Sequence, residues 1–326
     1  MQIFKLQNSN QVTILFVLKA IFGLLVFVAI KNILPNDFVA ASDIVAYAEC
    51  SQRGTSILYT YLLCHFGIAQ VQDIYNPLFV ISAIIISSAL ACGYFLLLEK
   101  NITDKGKILF MIMLIFHPYL AIYSSRFFSD LFGSIGIFLC FYYIYRNKNI
   151  DFFFLICSFM LMHLRSQLIP VFLGLAFFLI LRNILKRKFN FFNILLFTSS
   201  FFSLIFYSGY VNQFTSIDYP LFWNILSLMS LREKFALEGY PEIFLYLDTF
   251  KIIQLIAMAF LLFFHCFGIY GIFRFSKKYN PLILVLGLYS ISSLFGVSHM
   301  RYLLPIIPII IFGFLHIFYK REYSKI

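Results

Sequence analysis

What most limits this chain is a succession of apolar runs, each about long enough to cross a hydrocarbon layer roughly 30 Å thick, that follow one another from end to end. Bounding each run by its flanking charges gives spans near 12–34, 77–98, 108–123, 127–145, 150–164, 168–182, 191–209, 251–273, 281–298 and 302–319. A domain in water could not hide this surface: 62% of the residues are hydrophobic, 12% are charged, and the mean hydropathy is +0.90. The runs are continuously apolar rather than alternating in short pieces, which argues for helices over a β-barrel. The expected fold is all-α, a polytopic integral membrane helical bundle of about ten transmembrane helices. It forms a single domain over 1–326, with no linker, low-complexity tract or internal repeat.

The cations orient these spans. With the N-terminus inside, the inner segments hold Lys5; Lys100, Lys105 and Lys107; Arg146 and Lys148; Arg182, Lys186, Arg187 and Lys188; Arg274, Lys277 and Lys278; and Lys320, Arg321 and Lys325. These are most of the 25 Lys and Arg, all in short segments, where the positive-inside bias is strongest. Both termini are therefore expected in the cytoplasm, and the two long loops, 35–76 and 210–250, fall outside with an acidic balance. The formal charge of +11 is then a topology signal rather than a nucleic-acid footprint, and no nucleic-acid partner is expected. The first apolar run is too long for the core of a cleaved signal peptide and is expected to stay as an anchor. Lys19 inside it either snorkels or faces another helix.

The remaining charges gather at one end of the runs. Spans 108–123, 127–145 and 150–164 supply only roughly 22–28 Å of helix at 1.5 Å per residue, so their outer ends form a dent in the membrane surface. His117, Arg126, Asp130, His163 and Arg165 lie at those ends, and Asp43 and Arg53 sit in the first outside loop. His299 and Arg301 open the last span. Charge at membrane depth is costly and tends to face a polar cavity or a partner. Arginine forks at phosphate depth suit a lipid-linked phosphate whose tail stays among the helices.

Glycosyl transfer in such a dent needs a base for the acceptor hydroxyl and cationic donors for the departing phosphate. Asp43 is the chosen base, with His163 and His299 as further donors or as an alternative base. Arg126, Arg165 and Arg301, with Arg53, are the phosphate-binding set, and Asp130 orients Arg126 from one helical turn away. Each has a plainer reading. Asp43 after Ser42 can cap a helix, Arg126 and Asp130 can form a structural ion pair, His163 and Arg165 can anchor a turn, and His117 can satisfy carbonyls freed by Pro118. Leu221–Met229, with Trp223, reads as an interfacial helix that either rests on the membrane or acts as a lid. The six cysteines show no metal-ligand spacing; Cys50 and Cys64 share an outside loop that chemically permits a disulfide. No cofactor is expected.

At these residues the chain resembles a known superfamily. Ser42-Asp43-Ile44-Val45-Ala46-Tyr47-Ala48 resembles the first-loop acidic motif of GT-C glycosyltransferases. His117-Pro118-Tyr119 and Tyr123-Ser124-Ser125-Arg126-Phe127-Phe128-Ser129-Asp130 resemble their second-loop region. His299-Met300-Arg301-Tyr302-Leu303-Leu304-Pro305-Ile306-Ile307-Pro308 resembles the closing element of aminoarabinose and mannosyl transferases of that type. The resemblance implies sugar transfer from a polyprenyl-phosphate donor at the non-cytoplasmic face, with the first-loop carboxylate as base. No second acid follows Asp43 directly, so metal dependence stays open.

The order Asp43 to Tyr47, Arg126, then His163-Leu164-Arg165-Ser166 is also similar to EpsG-like and Wzy-type polysaccharide (O-antigen) polymerases. These join repeat units linked to polyprenyl diphosphate. The expectation is a multi-pass glycosyltransferase of a bacterial inner membrane, building a surface polysaccharide or glycoconjugate with other polysaccharide-assembly proteins as further partners. A polymerase and a lipid-linked saccharide flippase or transporter remain as alternatives.

Overall fold

A computed structural model describes residues 2–33, 57–65, 77–117, 120–121, 129–146, 148–211, 251–276, 280–292 and 304–321. Among them the chain is helical, with a single isolated antiparallel bridge between Ile102 and Lys320. In chain order the helices are α1 (Gln2–Ile33), α2 (Ile57–His65), α3 (Pro77–Leu98), α4 (Asp104–Phe116), α5 (Ser129–Tyr145), α6 (Phe152–Leu164), α7 (Ile169–Leu185), α8 (Phe191–Val211), α9 (Lys251–Ser276), α10 (Asn280–Ser292) and α11 (Ile307–Tyr319). Each of the ten apolar runs contains a helix, and α2 is an additional short one within the first long loop. Three helical segments are long and apolar enough to cross a membrane by length and composition: Asn10–Ala29, Pro77–Asn101 and Ser166–Leu185.

Helix boundaries depart from the apolar runs where capping chemistry overrides hydropathy. The run expected at 108–123 is helical at Asp104–Phe116 and again at 120–121. Thr103 caps its start by accepting from the Gly106 N–H at 3.4 Å. Its end comes at His117, whose ψ of 124° is the extended setting that the following Pro118 enforces. Likewise Asp151 accepts from the Phe154 N–H at 2.8 Å and opens α6. Helix α11 begins only at Ile307, with Pro308 in its first turn, where a missing N–H costs nothing. The expected lid helix at 221–229 and the Cys50–Cys64 pair lie outside the described residues or side chains.

Four helix ends that carry cations meet on one side of the bundle. The Asn101 amide donates to Tyr145 Oη at 2.9 Å, tying the α3–α4 turn to the end of α5. Thr103 N–H donates to the Tyr319 carbonyl at 2.9 Å, and Arg321 N–H to the Asn101 carbonyl at 3.1 Å, so the end of α11 is bound to the same turn. Phe275 near the end of α9 stacks on Tyr145 at 6.4 Å. Because α3, α5, α9 and α11 all finish here, the start of α5, the end of α6, the later half of α10 and the start of α11 lie toward the opposite end.

Glycines set the closest approach in the bundle. A Cβ on Gly271 would collide with the Gly313 carbonyl oxygen, and one on Gly268 would come within 2.5 Å of the Ile310 carbonyl oxygen. Backbone faces backbone between α9 and α11, the small-residue packing typical of helices in lipid. Outside, Leu25, Leu78, Phe153 and Phe202 are exposed around the girth. That much apolar exterior matches acyl chains rather than water.

Candidate functional site

Asp130 occupies the first turn of α5, where the unpaired N–H groups and helix dipole favour a carboxylate. Arg165 is the residue on which α6 ends: its N–H still donates to the Leu161 carbonyl, and its extended backbone starts the next short turn, Ser166–Leu168. The two side chains meet across helices. Arg165 Nη2 lies 2.6 Å from Asp130 Oδ1, with each side chain only 3% exposed. Arg165 Nε also donates to Gln167 Oε1 at 2.9 Å, so the guanidinium plane is held from two directions. Ser134 Oγ donates to the Asp130 carbonyl at 3.0 Å, one turn further along α5.

Several sequence-distant stretches converge on this pair. A Cβ placed on Gly133 would come within 3.1 Å of Tyr289 Oη, 3.2 Å of Pro305 Cγ and 3.6 Å of Arg165 Cγ. The absent side chain therefore brings α10, the start of α11 and the end of α6 against α5. Tyr289 is fully buried. On the next face of α5, the Phe132 ring takes the Tyr59 ring of α2 edge-on at 5.7 Å, so part of the first long loop is anchored at the same end. A buried charge pair, a phenol and an amide thus share one end of the bundle. This set can orient a cation and donate hydrogen bonds in a dry surrounding.

Of the residues singled out from sequence, Asp130 and Arg165 are brought together, whereas Asp130 was expected to orient Arg126. His163 is half-buried and sets its ring edge-on against Phe159 at 4.7 Å, a side chain 49% exposed on the bundle exterior. Two positions apart at a helix end, His163 and Arg165 face different sides. Asp43, Arg53, Arg126, His299 and Arg301 lie outside the described residues.

Gln167, Tyr289 and Gly133 escaped the sequence reading. An uncharged polar group in an apolar run carries no periodic signal; for Gln167 the one available cue was its place two residues after Arg165.

A second polar place lies between α1, α4 and α9. Lys19 Nζ donates to the Leu114 carbonyl at 2.9 Å and is buried, so this lysine faces another helix rather than snorkelling. One turn on, His117 stacks with His265 at 5.9 Å, both buried. No three His, Cys, Asp or Glu side chains group as metal ligands among the described residues. Cys92, Cys140, Cys157 and Cys266 are free thiols. Compared with known proteins, the chain matches no family, no curated protein and no solved structure.

Proposed function

We propose that this protein is an inner-membrane glycosyltransferase that takes a sugar from a polyprenyl-phosphate carrier at the extracytoplasmic face, in the assembly of a surface polysaccharide or glycoconjugate. The observation that carries the reading is the buried Asp130–Arg165 pair at the bundle end opposite the basic turns, where three other stretches of chain meet. Cations at one end and a desolvated arginine at the other fit a bundle of about ten spans with cytoplasmic termini, short helices being accommodated by local thinning of the bilayer.

Chain connectivity limits how far three of the other assigned groups can lie from this end. At a maximum of about 3.6 Å per residue, Arg126 stays within roughly 14 Å of Asp130, and Arg301 within roughly 14 Å of Pro305. Arg53 stays within roughly 22 Å of Tyr59. In the reaction, Asp43 accepts the proton of the acceptor hydroxyl, and the hydroxyl oxygen bonds to the anomeric carbon. The bond from that carbon to the carrier phosphate breaks, and the phosphate leaves with the electron pair. Arg126, Arg165 and Arg301, with Arg53 and His299, balance the charge that develops there. Asp130 and Gln167 hold Arg165 in its plane.

Purified protein given a radiolabelled polyprenyl-phosphate sugar tests this directly. Asp43→Asn and Arg301→Ala should abolish transfer without loss of expression, and full activity in both would overturn the assignment. A polymerase of repeat units uses the same cationic set; in a deletion strain it would leave single lipid-linked repeats, whereas a monosaccharide transferase leaves an undecorated acceptor. The buried Lys19, His117 and His265 are the observation that favours transport instead, since ionisable groups along a helix interior mark translocation paths. A transporter would catalyse no sugar transfer in detergent.

A further inference from the structure

The connection between α7 and α8 differs from the other basic turns at its end of the bundle. In other basic turns Lys107, Lys148 and Arg274 are engaged within the protein. Lys107 Nζ is 3.0 Å from Asp104 Oδ1 and 3.9 Å from Glu99 Oε2, Lys148 lies 4.8 Å over the Tyr142 ring, and Arg274 lies 6.0 Å over Tyr270. In the α7–α8 connection, Arg182, Lys186, Arg187 and Lys188 join no ion pair among the described residues, and the sequence holds no acid between Asp151 and Asp218. Two large apolar side chains flank the Lys186–Lys188 cations, Leu185 at 85% and Phe189 at 78% exposure.

The backbone of this turn is held in an uncommon form. Arg187 has a φ of 51°, the left-handed region that favours glycine, and it is the only non-glycine residue there among the described residues. The turn is closed by Arg187 N–H to the Ile184 carbonyl at 3.0 Å and Lys188 N–H to the Asn183 carbonyl at 2.9 Å. Glycine is the usual occupant of such a helix end. A cation kept at that setting, between two others and beside exposed Leu185 and Phe189, presents charge and apolar surface on one small knob.

We propose that this knob is a binding site for anionic phospholipid, its cations on headgroup phosphates and Leu185 and Phe189 in the upper acyl region. Four cations without a counter-acid are complementary to a negative surface, and the exposed apolar side chains beside them fit a bilayer better than a water-facing partner. The site lies at the end opposite the Asp130–Arg165 pair and does not depend on the glycosyl-transfer reading.

Native mass spectrometry of the full chain in detergent micelles, titrated with phosphatidylglycerol and phosphatidylcholine, tests the proposal. Each cation is worth roughly fivefold in binding to an anionic surface, so Lys186→Gln/Arg187→Gln/Lys188→Gln should lower the preference for phosphatidylglycerol by about a hundredfold at low salt. Lys105→Gln/Lys148→Gln/Arg274→Gln removes as much charge from the same end and should keep most of that preference. Leu185→Ser/Phe189→Ser should weaken binding of both lipids. Arg187→Gly, which suits the turn, should fold normally and lose about fivefold. The proposal is overturned if the wild type does not distinguish the lipids, or if both triple variants lose the preference equally. It is also overturned if the wild type ignores lipid but binds polyglutamate, which would assign the knob to an acidic protein.

Discussion

Removing the negative partner of Arg165 is the sharpest perturbation of this structure. In Asp130→Asn the guanidinium stays in a site where it is 3% exposed, with Gln167 Oε1 at 2.9 Å among its acceptors. Two unit charges about 4 Å apart attract by about 4 kcal/mol at an effective dielectric near 20, and desolvation of the pair offsets much of this. The single change nevertheless exposes the whole uncompensated penalty, typically 3–5 kcal/mol. The amide of Gln167 pulls the expectation to the lower end, and loss of the carboxylate from the first turn of α5 adds roughly 0.3–1 kcal/mol. Asp130→Asn should thus destabilise by about 3–4 kcal/mol in an SDS unfolding titration of the purified protein. Arg165→Gln should cost a similar amount, and Asp130→Leu/Arg165→Met should return to within about 1 kcal/mol of wild type or exceed it. A coupling energy below about 0.5 kcal/mol across the cycle, with both single variants near wild type, would refute the claim that this is a desolvated ion pair. A stable double variant with full transferase activity would leave the pair a purely structural role.

Arg165→Lys keeps the charge but cannot reach Asp130 and Gln167 at once from a planar fork, so transfer activity should fall at least tenfold while expression holds; unchanged kcat/KM would show that the two-sided grip is not used. Gly271→Ala forces a methyl group onto the Gly313 carbonyl and should destabilise by more than about 2 kcal/mol, whereas Gly287→Ala, with nothing within 4 Å, should be neutral or slightly stabilising. Equal melting of these two variants would show that α9 and α11 are not in backbone contact. At the basic end, the hydrogen bond and charge of Lys107 hold the Asp104 carboxyl below its usual range. A depressed carboxylate stabilises the fold above its unfolded pKa, near 3.9, and that contribution is lost as pH falls through the lower folded value. Because Asp104 is 89% exposed, Asp104→Asn should remove no more than a few tenths of a kcal/mol at pH 7, an effect that vanishes in 1 M salt. A larger loss that persists in salt would contradict this account.

Much of the fold could be read from the chain because bilayer-like apolarity is a sum over many residues and tolerates local exceptions. All ten apolar runs hold helices, and the Thr103 and Asp151 caps move two of the starts by a few residues, to Asp104 and Phe152. Where hydropathy and backbone chemistry disagree, chemistry decides the boundary: the helix begun at Asp104 stops at His117 because of Pro118, although Leu120 and Ala121 beyond it are again helical. The site was legible only in part. That Asp130 and Arg165 sit at helix ends followed from span boundaries, but their pairing did not, since Arg126 offered the nearer partner in sequence.

The sequence by itself determined an all-helical, lipid-compatible chain with its cations in short turns, because transfer free energy and helix capping depend on composition and neighbours a few residues away. Only the tertiary structure decided that Arg165 pairs with Asp130, that Gly133 admits Tyr289 and Pro305 beside them, that Lys19 turns to α4, and that Lys107 is paired while Arg187 is left bare on a left-handed turn. Apart from the local Lys107 pairs and the Arg187 backbone angle, each of these is a contact between segments tens to more than a hundred residues apart. The energy of such a contact depends on one geometry that helices of similar apolarity could satisfy in many alternative packings.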